Sequence, residues 1–316
     1  GIAFTDAHAS SALSTPSRYS ILTGRYNWRS TKKGGVLGVM SPPMIATGRN
    51  TIADMFRACG YTTAASGKWH LGWDWTHKEG KAKTVDNIDF TKRVANGPTD
   101  RGFDYFYGLT SPSGPPHLYM VNDMAEKQPN TRFEDSGGGL YRIKGGIGHS
   151  DWSADGMQPH LADKMLDYLD DNKNSDKPFF LYMALTAPHI PLFPSKEFKG
   201  KSRIGDYGDL VMMIDDIVGR VNRKLKEIGK YDDTIVMFAA DNGCAGYINM
   251  DKINRKGHYP SYIYRGYKSH GWEGGHRIPF ILSWGDRYGH VTDNSLVSLT
   301  DLYATFADML GYRTAD

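Results

Sequence analysis

Short apolar runs alternate with amphipathic stretches along the chain. Three runs, PFFLYMAL (178–185), TIVMFAA (234–240) and IPFILSW (278–284), are rich in β-branched and aromatic residues. Their unbroken apolar character predicts central strands covered on both faces. IAFTDAH at the start also reads as a strand. Between the first two runs lies GDLVMMIDDIVGRVNRKLKEIG, whose Leu210, Ile214, Ile217, Val221, Leu225 and Ile228 step by three or four residues. That spacing draws one apolar stripe along a helix, and Gly229 can close it. TIADMFRACG predicts a second helix, with Thr51 as its cap and Gly60 at its end. PHLADKMLDYLDD (159–171) and LTDLYATFADMLGY near the end predict two more. Strands alternating with helices point to an α/β fold, and no internal repeat is visible.

Two stretches break the pattern. Residues 110–156 are rich in Gly, Pro, Ser and Asn with little periodicity. Such a segment is either a disordered insertion or a binding loop over an active site. The second stretch, GHYPSYIYRGYKSHGWEGGHR, concentrates aromatic and basic residues. It reads as a ligand-contacting loop or as an ordinary packed surface loop.

Composition narrows the function classes. The 316 residues are 40% apolar and 23% charged, with a net charge of +3. A globular chain of this size can bury a large core in one or two domains. No basic run demands a nucleic-acid partner, and no apolar stretch approaches the ~20 residues of a membrane span. Cys59 and Cys244 lack zinc-type spacing and are compatible with one disulfide or two thiols.

Candidate chemistry gathers at element ends, where open α/β sheets place their ligands. TIVMFAA runs into Asp241-Asn242-Gly243, whose side-chain oxygens suit a hard cation, although the same triplet makes a good turn. Ser14 lies two residues before Pro16, near the start of a helix whose positive end welcomes an anion. Arg18 follows one turn later and can point back at the same spot. Lys68 and His70 are two apart, so an extended segment would put them on one face. His189 follows the PFFLYMAL run, and Lys268 lies in the aromatic loop. Several cations beside a cation site describe a pocket for a tetrahedral anion.

The segment STPSRYSILTGR (14–25) closely resembles the signature of the type I sulfatases: Cys or Ser, any residue, Pro-Ser-Arg, three residues, then Leu-Thr-Gly-Arg. Every fixed position from Ser14 to Arg25 agrees. GKWHLG (67–72), APHIP (187–191), DNG (241–243) and GYKSHGWEGGHRIP (266–279) are similar to the family's later motifs, in the same order. The resemblance implies an alkaline phosphatase-like fold: a large mixed, mostly parallel sheet sandwiched by helices, forming one catalytic domain over 1–316. It implies a sulfuric ester hydrolase acting on a sulfated carbohydrate. Residue 14 would be oxidised to formylglycine by a maturase, and its hydrated aldehyde would attack sulfur.

Carried over residue by residue, Arg18 and Lys68 would hold the diol, and His70 would take a proton from it. His189 and Lys268 would contact the sulfate ester, with His189 donating to the leaving oxygen. Asp241 and Asn242 would bind calcium, completed by residue 14. Ser111, His258 and Arg265 are further candidates for substrate contact. Ser14 itself is compatible with a natural serine-type precursor, an inactivating replacement of Cys, or an unmodified residue in a non-enzyme. Serine-type precursors point to a bacterial, periplasmic or secreted protein.

One departure stands out. The family supplies two further Asp ligands from an apolar first strand, which this chain does not show. Either the chain is trimmed or its metal site is crippled, and the ragged start leads us to expect a trimmed chain, with the small C-terminal subdomain also missing or cut. Two alternatives remain beside the sulfatase: an inactive relative that binds sulfated glycans, and a phosphoester hydrolase of the same superfamily. The state of residue 14 separates the first, and the Leu-Thr-Gly-Arg tail speaks against the second.

Overall fold

The computed structural model describes residues 1–314. In chain order its elements are β1 (Ile2–His8), α1 (Ser14–Thr23), α2 (Ile52–Ala58), β2 (Thr62–Lys68), β3 (Tyr105–Leu109), β4 (Met120–Val121), β5 (Met124–Ala125), β6 (Thr131–Phe133) and β7 (Gly146–Gly148). There follow α3 (Met157–Asp171), β8 (Phe179–Ala184), α4 (Asp206–Glu227), β9 (Ile235–Ala239), α5 (Met250–Asn254), α6 (Glu273–His276), β10 (Phe280–Trp284), β11 (Val291–Ser298) and α7 (Asp301–Leu310). The chain divides into two compact units, one of residues 1–36 and 219–316, the other of 37–218.

The first unit is built on a four-stranded sheet in the order β11-β1-β10-β9. β1 runs parallel to β11 and antiparallel to β10. Ala7, Ala9, Ile278, Phe280 and Leu299 form its buried cluster. α1 packs against α7 there.

The second unit holds a five-stranded sheet, β5-β4-β3-β2-β8, in which β2 is parallel to both neighbours. α2 and α3 pack on β2. α2 starts where the sequence places it. Thr51 accepts from the Asp54 N–H at 3.1 Å, and Asp54 accepts from the Thr51 N–H at 3.0 Å. Two orphan amides are satisfied in one exchange. On α4, Leu210, Met213 and Ile217 lie in a buried cluster with Ala162, Leu192 and Phe198, as the apolar stripe predicts.

Gly67 fixes how closely β2 approaches β8. It has φ of +99°, and a Cβ there would lie 2.1 Å from the carbonyl oxygen of Ala184. Gly67→Ala combines a left-handed backbone penalty with backbone overlap, so it should cost at least about 2 kcal/mol. Urea unfolding measures this, and an unchanged midpoint would show that the two strands can separate without loss.

The strands and the long irregular stretch add to the sequence reading. β8 and β9 read as central strands covered on both faces, yet each ends its sheet among the described residues and is only partly buried. An apolar run reports what its faces meet, not how many strands flank it. Residues 110–156 are mostly irregular, yet four very short strands and a buried cluster order parts of them. β4 and β5 extend the sheet, β6 pairs with β7, and Tyr119, Trp152 and Ala154 join a buried cluster around Tyr107. Strands of two or three residues are too short to show a period.

His117 illustrates that packing. Its ring is buried against Phe133 and Trp152, and its Nε2 donates to the Lys144 carbonyl at 2.7 Å. Burial pushes its pKa below the ordinary value, only partly offset by that hydrogen bond. The unfolded chain therefore binds the proton more readily, and stability falls as pH drops through about 6.5. The urea midpoint should decrease from about pH 7.5 to about pH 5, and the decrease should shrink in His117→Gln.

Candidate active site

Ser14 is the first residue of α1, two positions earlier than its proline suggests. No side chain caps the helix at Leu13. Ser17 Oγ donates to the Ser11 carbonyl at 3.0 Å and anchors the entry turn. Arg18, one turn on, folds back as its spacing predicts. Its Nε donates to Ser14 Oγ at 2.8 Å and to Asp241 Oδ2 at 2.9 Å. Its NH2 group lies 2.9 Å from the same carboxylate oxygen. Ser14 and Arg18 are buried, so this ion pair acts in a medium where charge is felt strongly. The serine that opens a helix and the aspartate that ends a strand are thus joined through one guanidinium.

Asn242 follows Asp241 with its amide oriented. Its Nδ2 donates to the Gly243 carbonyl at 2.9 Å, which leaves Oδ1 turned the other way. That oxygen is buried and meets no hydrogen-bond donor. A buried amide oxygen beside a carboxylate is a fitting ligand pair for a hard cation such as calcium. Ser14 Oγ, bonded to the same guanidinium as Asp241, is a further candidate oxygen. The residues present fit the ion, although calcium ordinarily takes six to eight oxygens.

Lys268 is held by its backbone neighbours. Its N–H donates to the Cys244 carbonyl at 2.8 Å, and the Ser269 N–H donates to Ala12 at 2.9 Å. These two bonds tie the aromatic loop to the chain just before Ser14 and just after Asn242. Gly275 allows the same closeness, since a Cβ there would lie 2.0 Å from the His270 carbonyl oxygen. Burial pushes the Lys268 pKa down, Asp241 draws it up and Arg18 opposes it.

In the second unit, Lys68 ends β2 and is buried. The segment does not stay extended. His70 has φ of +57°, so the backbone turns there and the simple shared-face geometry of Lys68 and His70 does not hold. A non-glycine residue in that region costs about 1–3 kcal/mol and is typical of functional positions. The His70 N–H donates to Thr110 at 2.9 Å, and its Nε2 donates to the Leu37 carbonyl at 3.0 Å. His189 follows β8 on a turn anchored by a residue the sequence did not single out. Gln158 Oε1 accepts from the Thr186 N–H at 2.7 Å, the Thr186 hydroxyl at 2.8 Å and the Ala187 N–H at 3.0 Å. His189 Nδ1 donates to the Ile190 carbonyl at 2.7 Å.

The remaining candidates lie differently. Ser111 is half-buried beside Ser113. His258 and Arg265 are exposed, and Arg265 stacks 3.9 Å over the Trp272 ring. No disulfide joins Cys59 and Cys244 among the described residues. No helix among those residues is long and apolar enough to cross a membrane.

The site thus consists of a helix-borne serine tied through arginine to a strand-end aspartate, on a mixed α/β fold. The sequence pattern described as Sulfatase matches residues 1–312, and the chain belongs to that family. It is 32% identical over 98% of its length to an N-acetylgalactosamine-6-O-sulfatase of Bacteroides thetaiotaomicron, covering 66% of that protein. It is also 32% identical over 98% of its length to an arylsulfatase of Hemicentrotus pulcherrimus, covering 52% of it. The chain thus spans between about half and two thirds of these relatives. A solved structure described under the metabolism of multiple glycosaminoglycans by Bacteroides thetaiotaomicron superposes with a TM-score of 0.85 and 29% identity. That match covers 100% of this chain and 71% of the other.

Proposed function

We propose that the protein hydrolyses sulfate esters of a carbohydrate, with formylglycine formed at residue 14 by a maturase and calcium held by Asp241 and Asn242. The observation that carries this reading is the Ser14–Arg18–Asp241 constellation at the start of α1, within a signature that agrees at every fixed position. Formylglycine supplies a hydrated aldehyde as nucleophile, and calcium would polarise the oxygens beside it.

The chain's own residues do the rest. Arg18 presents a fixed guanidinium to the oxygen of residue 14, where negative charge develops. Lys268 would bring a half-buried ammonium to the sulfate, where partial exclusion of water increases its effect. The family resemblance gives Lys68 the role of a second ammonium for the diol and His70 that of the base that takes its proton. His189, with its Nδ1–H committed to a backbone carbonyl, would give the leaving oxygen the Nε2 proton of its imidazolium form. Exposed Tyr259, Tyr262 and Trp272 offer faces on which a sugar ring can stack. The bacterial relative favours 6-sulfated N-acetylgalactosamine as the first substrate to try. A periplasmic or secreted location goes with such a substrate.

The test is sulfate release from a panel of sulfated saccharides by protein co-expressed with a serine-competent maturase. Multiple turnovers on one of them support the reading. Faster release of phosphate from the matching phosphomonoester would place the protein among the phosphoester hydrolases. In the matured protein, Lys268→Ala and His189→Ala should each lower turnover by at least about a hundredfold. Their melting temperatures should stay near the parent's. A variant that melts early yet keeps its activity per folded molecule would make that residue structural.

A further inference from the structure

A second cluster of ligating side chains lies in the first unit and shares no residue with the Ser14 constellation. His8 ends β1, while Glu273 and His276 stand one turn apart on α6. One ligand atom from each of these three lies within 4.8 Å of the others. We propose that His8, His276 and Glu273 bind one borderline-soft divalent ion of the zinc type, independently of the sulfatase reading.

The geometry of the two rings carries the proposal. Nδ1 of His8 and Nδ1 of His276 face each other at 3.0 Å. Two nitrogens on a tetrahedral zinc, each about 2.0–2.1 Å from it, stand about 3.3 Å apart. The rings need to open by only a few tenths of an ångström. The tautomer is already set. His8 Nε2 lies 2.8 Å from Asp6 Oδ1, and a carboxylate can only accept, so Nε2 carries the proton. The His8 Nδ1 lone pair is thereby directed at His276. A carboxylate behind a histidine is the arrangement that orients ring ligands in metal sites.

Charge and rigidity agree. Arg277 lies 2.7 Å from Asp6 Oδ1 and 2.5 Å from Glu273 Oε2. One guanidinium thus balances one of two carboxylates, and a single negative charge remains beside two neutral imidazoles. Arg277 engages Glu273 through Oε2, so Oε1 is the oxygen offered to the ion. The backbone is pinned, since His8 bridges Arg277 and the Ala9 N–H donates to the His276 carbonyl at 2.8 Å. Two histidines and a carboxylate select zinc, cobalt or nickel over calcium, which prefers oxygen ligands alone.

The test is calorimetric titration of the metal-stripped full chain with zinc chloride, in buffer with excess calcium to fill hard-cation sites. One zinc per chain should bind, and cobalt should give the intense visible band of tetrahedral coordination. His8→Ala and His276→Ala should weaken binding by at least about a hundredfold, and Asp6→Asn by about 10–100-fold. Circular dichroism confirms that each variant is folded. Should either alanine variant fail to fold, zinc-edge anomalous scattering from soaked crystals of the unsubstituted protein decides the question. A peak between His8, His276 and Glu273 supports the site. Absence of zinc binding, a peak elsewhere only, or unchanged affinity in folded His8→Ala would overturn it and leave a simple hydrogen-bonded histidine pair.

Discussion

Protein carrying an unmodified serine at position 14 is expected to bind a sulfated sugar, to release at most one equivalent of the desulfated sugar per molecule and to release no free sulfate. The hydroxyl stands at the right place, opening α1 and hydrogen-bonded to Arg18 at 2.8 Å. Position is only part of the requirement. A single hydroxyl has no second oxygen whose deprotonation could expel sulfate once it is attached, so the site would stay blocked. Protein matured by a serine-competent enzyme should weigh less by two hydrogens at this residue. It should also turn over faster by on the order of 10⁴-fold or more, the scale seen when a nucleophile is lost. Peptide mass spectrometry of both preparations, paired with a sulfate-release assay, decides the matter. Repeated turnover by protein shown to carry only serine would overthrow the mechanism.

Replacing Asp241 should have the next largest effect. Its carboxylate holds Arg18 against Ser14 and lies beside the donor-less oxygen of Asn242. Asp241→Asn keeps the shape and removes the charge. In the matured protein, turnover should fall by about 10²–10³-fold, comparable to losing one charge-stabilising group at a reacting centre. Calcium should raise the melting temperature of the parent by mass action and leave the variant unmoved. Chelation of the parent should reproduce the loss, and calcium should restore it. A calcium-dependent melting shift that survives Asp241→Asn would move the metal to other ligands.

By itself the sequence determined the local events. The apolar stripe from Leu210 to Ile228, the Thr51 capping box and the strand ending in Asp241-Asn242-Gly243 are written in residues close together, and each forms as read. The fold-back of Arg18 onto Ser14 follows from a four-residue step on one helix. The family, too, was legible, because its motifs are short and contiguous. Tertiary structure decided what depends on residues far apart in the chain. Nothing in the Asp241 motif announces that its carboxylate meets a guanidinium 223 positions away. Gln158 gives no sign in its own helix that its amide holds the turn before His189. His8 and His276 each look like an isolated histidine, and only the joining of β1 to the end of α6 brings their nitrogens to 3.0 Å. Periodicity records which face of an element is buried. It carries no information about which distant side chain will share that burial, because that choice is made by backbone pairing and packing once the chain has folded.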